Sequence, residues 1–201
     1  MIAILDYGAG NLRSVANALR VLDVPHHVVR DVPGLASAEK IILPGVGHFG
    51  QMMRALDAMQ VRGALLERIQ AGVPFLGICL GLQALFESSE EAPDVPGLGL
   101  VPGTIRKFAG EMRVPHMGWN EIEARAGAAP SRLLRDLPAK CHVYFAHSYC
   151  APVGPSTAAA CEYGGIRFSA AFEQDNLSGI QFHPEKSGAI GRMLLRNFAD
   201  L

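Results

Sequence analysis

The stretch from Val73 to Glu91, VPFLGICLGLQALFESSEE, opens on an almost wholly apolar run and passes through Gly-Ile-Cys-Leu-Gly into a segment read as helical. A short apolar run without polar alternation reads as a strand buried on both faces, and a helical segment directly behind it reads as the crossover that returns the chain. The same unit recurs toward the N-terminus. IAIL (Ile2 to Leu5) precedes NLRSVANALRVL, in which Leu12, Val15, Ala16, Leu19 and Leu22 fall on one helical face and Asn11 stands at the cap position. HHVV (His26 to Val29) and KIIL (Lys40 to Leu43) read as further strands, with a helical reading from about Phe49 to Ala71 after the second. This alternation predicts an α/β fold, an open, mostly parallel sheet with helices on both faces, and places ligands at the carboxyl ends of the strands. The second half is β-rich (TIRKF, HVYFAHSY, TAAACEY, FSAAFE, SGIQF). It closes on SGAIGRMLLRNFADL, where Ile190, Met193, Leu194 and Phe198 make a helical stripe. Pro93 to Gly103 is the one linker-like stretch. It reads as a connection inside a single domain spanning 1–201.

The chain has 201 residues, ample for a buried core without staples. Hydrophobic residues reach 49% and charged residues only 18%, which argues against extended disorder. Lys and Arg (18) nearly balance Asp and Glu (19) for a net charge of −1, so nucleic acid is not an expected partner. MIAILDYGAG reaches Asp6 after a short apolar run with no basic residue before it, and no segment approaches the roughly eighteen apolar residues of a membrane span. Neither a signal peptide nor a membrane partner is expected. Cys79, Cys141, Cys150 and Cys161 form no CxxC pair, so the expectation is a cytoplasmic protein in a reducing compartment.

GICLG (Gly77 to Gly81) sets a cysteine between two glycines where strand turns to helix, the thiol form of a nucleophile elbow. Such a turn strains the nucleophile's backbone, leaves no room for flanking side chains and lifts the sulfur over the sheet edge. It also puts Cys79 at a helix N-terminus, where the dipole favours a thiolate and the Leu80 N–H can face an oxyanion. The plain alternative is a small apolar residue in a buried strand. A thiolate needs an oriented base, and QFHPE (Gln181 to Glu185) supplies one, 104 residues on (183 minus 79). Pro184 biases His183 to extended backbone, in which residues two apart share a side, so Glu185 comes beside the imidazole and fixes its tautomer. PGVGHFG (Pro44 to Gly50) follows KIIL to the same rim. Its glycines at 45 and 47 free the backbone to turn the Val46 or Gly47 N–H toward a ligand as a second oxyanion donor. Alone, PGVG is an ordinary turn; with the elbow and the His-Pro-Glu it points to cysteine acyl transfer.

GICLGLQALF, PGVGHFG and FHPEKSG together resemble the triad-type, class I glutamine amidotransferases, whose core is flavodoxin-like. DYGAGN (Asp6 to Asn11), HMGWN (His116 to Asn120) and YFAHSY (Tyr144 to Tyr149) resemble the branch that serves imidazole glycerol phosphate synthase in histidine biosynthesis. The resemblance implies a triad of Cys79, His183 and Glu185, with Leu80, Val46 and Gly47 at the oxyanion hole. It implies glutamine as substrate, held by Gly45 of the PGVG loop, Gln83 and the backbone of His147, Ser148 and Tyr149. It also implies no cofactor, and a (β/α)₈-barrel cyclase partner in a heterodimer that receives the ammonia, with Asn11, Trp119, Tyr144 and Lys186 near the partner face. No phosphate loop of the GxxxxGK[ST] type is present to bind a bisphosphorylated substrate, which fits a separate synthase subunit. Low activity of the chain alone is expected, since uncoupled hydrolysis wastes glutamine. Cys150 departs from the larger residue of many relatives, a change expected to need only local repacking.

The remaining motifs have plain readings. Cys141, His142, His147 and Cys150 suggest zinc, but the odd offsets 141/142 and 142/147 send side chains to opposite faces of a strand, so no metal site is expected. The SSEE run reads as a solvated helix end, Met52, Met53, Met59 and Met193 as core filling, and Trp119 as either a core anchor or an interface contact in a Gly-Trp-Asn turn. A triad cysteine hydrolase or peptidase, a non-catalytic thiol sensor and a glutaminase serving another synthase are the competing readings.

Overall fold

Side chains of a strand alternate between its two faces, so each apolar run of the N-terminal half feeds two cores. In β1 (Ile2–Leu5), Ile2 and Ile4 join the core completed by Val15 and Leu19 of α1 (Leu12–Val21) and by Leu194 and Phe198 of α6 (Gly188–Ala199). Ala3 and Leu5 join the opposite core, with Leu35 of α2 (Val32–Ala36), Met52, Met53 and Leu56 of α3 (Phe49–Ala58), and Leu65 and Ile69 of α4 (Arg62–Gln70). Helices therefore cover both faces. The structure, a computed structural model, describes residues 1–125 and 130–201.

Five parallel strands form one side of the main sheet in the order β2 (His26–Val29), β1, β3 (Lys40–Gly45), β4 (Phe75–Cys79) and β12 (Leu177–Ile180). The second half extends it with antiparallel strands β11 (Ile166–Gln174), β10 (Thr157–Tyr163), β7 (His116–Ala124) and β8 (Lys140–His147). A smaller sheet joins β5 (Phe86–Ser89), β6 (Val101–Lys107) and β9 (Tyr149–Cys150). Gly45 pairs with Cys79 and Ile180 with Ile78, so PGVG, GICLG and QFHPE all leave the sheet at one end.

Three expectations need correction. The helix read from Phe49 to Ala71 is two helices, because Gln60 adopts a left-handed φ of 57° between α3 and α4. The segment after Cys79 is helical for only one turn, α5 (Leu80–Gln83), and then becomes β5, so SSEE is a strand end and turn rather than a helix end. Leu80 through Leu85 are buried on every side, which erases the helical signature. The Pro93 to Gly103 stretch claims the backbone beyond them, with the N–H groups of Leu98 and Leu100 donating to Ala84 and Leu85 at 2.7 and 2.9 Å. Trp119 lies in β7, not in a turn.

Helix α6 presses on the loop after β12 through Gly191, where a methyl group would stand 1.9 Å from the Pro184 carbonyl oxygen. Overpacking of this kind costs about 1–3 kcal/mol. Gly191→Ala is therefore expected to lower the melting temperature by roughly 3–10 °C, measured by calorimetry; an unchanged melting temperature would show that the helix shifts freely.

Candidate active site

Cys79 sits at φ 55°, ψ −104°, a left-handed backbone that costs a non-glycine residue about 1–3 kcal/mol. The flanking glycines make this turn fit. A methyl group on Gly81 would lie 1.9 Å from the Leu43 carbonyl oxygen, and one on Gly77 would lie 2.4 Å from that of Gly81. The helix behind the elbow is a single turn, too short for the dipole invoked from sequence to contribute much, so charge at the sulfur depends on side chains.

His183 supplies that charge. Its backbone is extended (φ −98°, ψ 102°) as Pro184 demands, but the next residues form a short 3-10 turn, Pro184–Lys186. The turn, rather than strand alternation, carries Glu185 back to the ring. Nδ1 of His183 donates to Glu185 Oε1 at 2.9 Å, which leaves Nε2 for Cys79. Asn11 Nδ2 donates to the same Oε1 at 3.0 Å. Ser187 fastens the loop: its hydroxyl donates to the His183 carbonyl at 2.7 Å and accepts the Tyr144 N–H at 3.0 Å. Burial opposes charge on His183, but hydrogen bonds to Cys79 and Glu185 outweigh it and raise the imidazole to about 10. Burial likewise opposes charge on Glu185, and the bond to His183 nonetheless holds its carboxyl below the usual range.

A pocket of about 170 Å³ opens over Cys79, lined among others by Val46, Gly47, Leu80, Gln83, Glu91, His147, Ser148 and Tyr149. Gly45 lies directly beneath, where a methyl group would meet Leu80 Cβ at 2.7 Å. Gln83 Nε2 donates to the Tyr149 carbonyl at 2.9 Å and to Gln181 Oε1 at 3.2 Å, and Gln181 Nε2 reaches Cys79 Sγ at 3.6 Å. His147 Nδ1 donates to the same Tyr149 carbonyl at 2.9 Å, so its Nε2 accepts from His116 Nδ1 at 3.1 Å. Burial lowers these two imidazoles to about 3 and about 4, so both are neutral at neutral pH and both nitrogens of His147 are in use.

Two of the expected oxyanion donors, the N–H groups of Leu80 and Val46, face groups of the protein. Ile41 N–H donates to Pro74, and the β3–β4 pairs run without a shift to Gly45–Cys79. The two-residue repeat of a parallel ladder therefore directs the Gly45 carbonyl at the Leu80 N–H and turns Val46 the other way. There the Val46 N–H meets the Tyr7 hydroxyl at 3.3 Å.

The other expected residues gather on one surface beside the His183–Glu185 pair. Trp119 is 57% exposed, lies edge-on to Tyr144 at 6.2 Å, and Lys186 Nζ stands 5.3 Å from the centre of the Tyr144 ring. Asn11 joins this surface to Glu185. Glu91 and Tyr7 were not singled out from sequence. Glu91 is hidden in SSEE, and only its bond from the Phe49 N–H at 2.7 Å reveals that it turns inward. Among the described residues no group of His, Cys, Asp and Glu is arranged to hold a metal ion, and all four cysteines are free.

The raised His183 has a checkable consequence. Its contribution to stability is complete below the ordinary value of 6.5 and fades as pH rises toward about 10. Glu185→Gln removes a charge that favours the imidazolium, so the His183 ring should titrate at lower pH than in the unmodified chain, followed by its NMR shift. An unmoved titration would mean that the carboxylate does not support the charge.

Residues 3–200 match the family model for class I glutamine amidotransferases. The chain is 48% identical to imidazole glycerol phosphate synthase subunit HisH of Deinococcus radiodurans, covering 98% of this chain and 92% of that one. It is 42% identical to the imidazole glycerol phosphate synthase hisHF of Emericella nidulans, covering 99% of this chain but 38% of that longer one. A solved structure described as a glutamine amidotransferase superposes with a TM-score of 0.76 at 19% identity, covering 100% of this chain and 99% of that one, a likeness of fold. With an elbow cysteine, a buried His–Glu pair and a family match along almost its whole length, the chain belongs to the class I glutamine amidotransferases.

Proposed function

We propose that the chain is the glutaminase subunit of imidazole glycerol phosphate synthase in histidine biosynthesis, with Cys79, His183 and Glu185 as its catalytic triad. The observation that carries the reading is the buried imidazole of His183, bonded to Glu185 at 2.9 Å and carrying a charge that Cys79 and Glu185 both favour. The side-chain amide of glutamine lies over Cys79, and the thiolate attacks its carbonyl carbon. His183, as imidazolium, gives its proton to the departing nitrogen, and ammonia leaves a glutamyl thioester. Water, deprotonated by the now neutral His183, attacks the thioester and releases glutamate. Both tetrahedral intermediates carry an oxyanion for the N–H groups of Leu80 and of Val46 or Gly47.

Glu91 is the one carboxylate among the pocket-lining residues, and it faces the place where the α-ammonium of an amino acid substrate would lie. The backbone of His147 to Tyr149, fixed through Gln83, His147 and His116, forms the wall opposite. The Val46 N–H is held by the Tyr7 hydroxyl at 3.3 Å, so a rearrangement of segment 45–47 would free it for an oxyanion. A cyclase subunit of (β/α)₈-barrel type, docking over Trp119, Tyr144, Lys186 and Asn11 in a heterodimer, is the partner that drives this and receives neutral ammonia. The Emericella imidazole glycerol phosphate synthase hisHF extends well beyond the 38% that this chain covers, which supports a further unit working beside the glutaminase.

The test is glutamate release by the purified chain, alone and with a cyclase subunit bound to its nucleotide substrate. Release should rise many-fold with the liganded partner, and Cys79→Ala should lower kcat by roughly 10⁴-fold or more. No release under any condition, or a high partner-free rate that the cyclase leaves unchanged, would overturn the reading. Glu91→Gln keeps an acceptor for the Phe49 N–H while removing the charge. It should raise KM for glutamine about tenfold with little change in kcat; an unchanged KM would remove Glu91 from the substrate site.

A further inference from the structure

Gln181 is the most deeply buried polar side chain among the described residues, at 0% exposure, between Ile180 and Phe182, which are equally enclosed. An amide in such a place costs free energy unless its polar atoms are bonded. The sheet sets what it meets. Ile180 pairs with Ile78 in the parallel ladder, so the next residue leaves β12 beside Cys79, and its N–H is anchored on the Ala170 carbonyl at 2.9 Å. The neighbours also fix which way the amide points. A carbonyl only accepts, so the 2.9 Å contact of Gln83 with the Tyr149 carbonyl comes from the Gln83 NH₂ group. The same nitrogen lies 3.2 Å from the Gln181 side chain, which therefore turns its oxygen to Gln83 and its own NH₂ to Cys79 Sγ, 3.6 Å away. The titratable groups facing the sulfur from other elements are Tyr7 after β1, His183 after β12, and His147 and Glu91 around the pocket. Burial keeps Tyr7 protonated and His147 neutral at neutral pH.

We propose that Gln181 is a further catalytic residue, whose side-chain N–H donates to the Cys79 sulfur and stabilises its negative charge both before attack and when the sulfur is expelled. The proposal rests on the glutaminase reading above. His183 is an intermittent partner for the sulfur: once its proton has gone to the departing nitrogen, the imidazole is neutral until it takes another from water. The amide has no proton to give up and stays aimed at the sulfur throughout. When water has added to the thioester carbon, the C–S bond breaks and its electron pair passes to the sulfur. A fixed N–H at that atom favours the departure. A Gln181 that served only as a bracket between Gln83 and the histidine loop would act through Gln83 on the Tyr149 wall, and its loss would show in KM.

The test uses Gln181→Met, of similar length but without a donor, and Gln181→Glu, which keeps an acceptor for Gln83 and sets a carboxylate against the sulfur. With the liganded cyclase, kcat should fall about tenfold in Gln181→Met and further in Gln181→Glu, with KM for glutamine changed less than about twofold. In the free chain, the pH at which Cys79 becomes reactive to iodoacetamide should rise by about one unit in Gln181→Met. A second measurement needs no Gln181 variant. In the unmodified chain the Gln181 side-chain NH₂ resonance should move in NMR as the thiolate forms, judged by its ultraviolet absorbance, and should stay still in Cys79→Ala while His183 titrates. Where melting curves show that a variant does not fold, this measurement decides. An unchanged kcat, a loss confined to KM, or an amide resonance indifferent to the thiolate overturns the proposal. If Cys79→Ala leaves glutamate release intact, the triad reading fails instead, and the NMR measurement still decides whether the amide meets the sulfur.

Discussion

Leu43 and Gly81 approach so closely that no side chain fits between them, and this contact fixes the path of the chain at the nucleophile. With Gly81 packed on the end of β3, the turn after β4 has to be sharp, and Cys79 is left at the apex in a left-handed conformation it would not choose. The parallel register does the rest. Because β3, β4 and β12 run side by side in one direction, the oxyanion segment, the cysteine and the histidine loop leave the sheet at the same end. Gln181 and Gln83 then tie the cysteine turn to the histidine loop and to β9, and Ser187 ties that loop to β8, by hydrogen bonds that need few mobile side chains, which favours precise placement at low cost in ordering.

Much of this arrangement is legible in the residues. Ile2 to Leu5, Lys40 to Leu43 and Val73 to Ile78 are apolar on both faces, and that pattern suits strands covered by helices on either side. The glycines of GICLG mark the elbow because nothing larger fits, a demand of covalent geometry and thus visible in sequence. What stays hidden depends on tertiary contacts. Residues 80–85 are buried all round and lose the periodicity that separates helix from strand. His183 and Glu185 do meet, but through a 3-10 turn that spacing alone does not reveal. Glu91 looks like one more surface carboxylate until the Phe49 N–H draws it inward. Tyr7 is a plain aromatic after a strand, and its partner lies 39 residues away.

The surface beside the triad and the pocket within it are joined by polar contacts rather than by loose proximity. Asn11 bonds the Glu185 oxygen that orients His183. Tyr144 carries the cation of Lys186 on its ring while its N–H holds the hydroxyl that fastens the histidine loop. A partner that touches this surface therefore touches groups linked to His183 through Glu185 or Ser187. Such a design suits an enzyme whose product, neutral ammonia, is useful only where a second active site is ready for it.

The central claim is that Cys79, and no other cysteine, forms the covalent intermediate. Acid quenching of the chain during turnover of glutamine with the liganded cyclase, followed by peptide mass spectrometry, tests it most directly. The account predicts a glutamyl adduct on the peptide containing Cys79 and none on those containing Cys141, Cys150 or Cys161, whose thiols burial pushes above their ordinary value. An adduct on one of those three, or glutamate release with no adduct on Cys79, would contradict it.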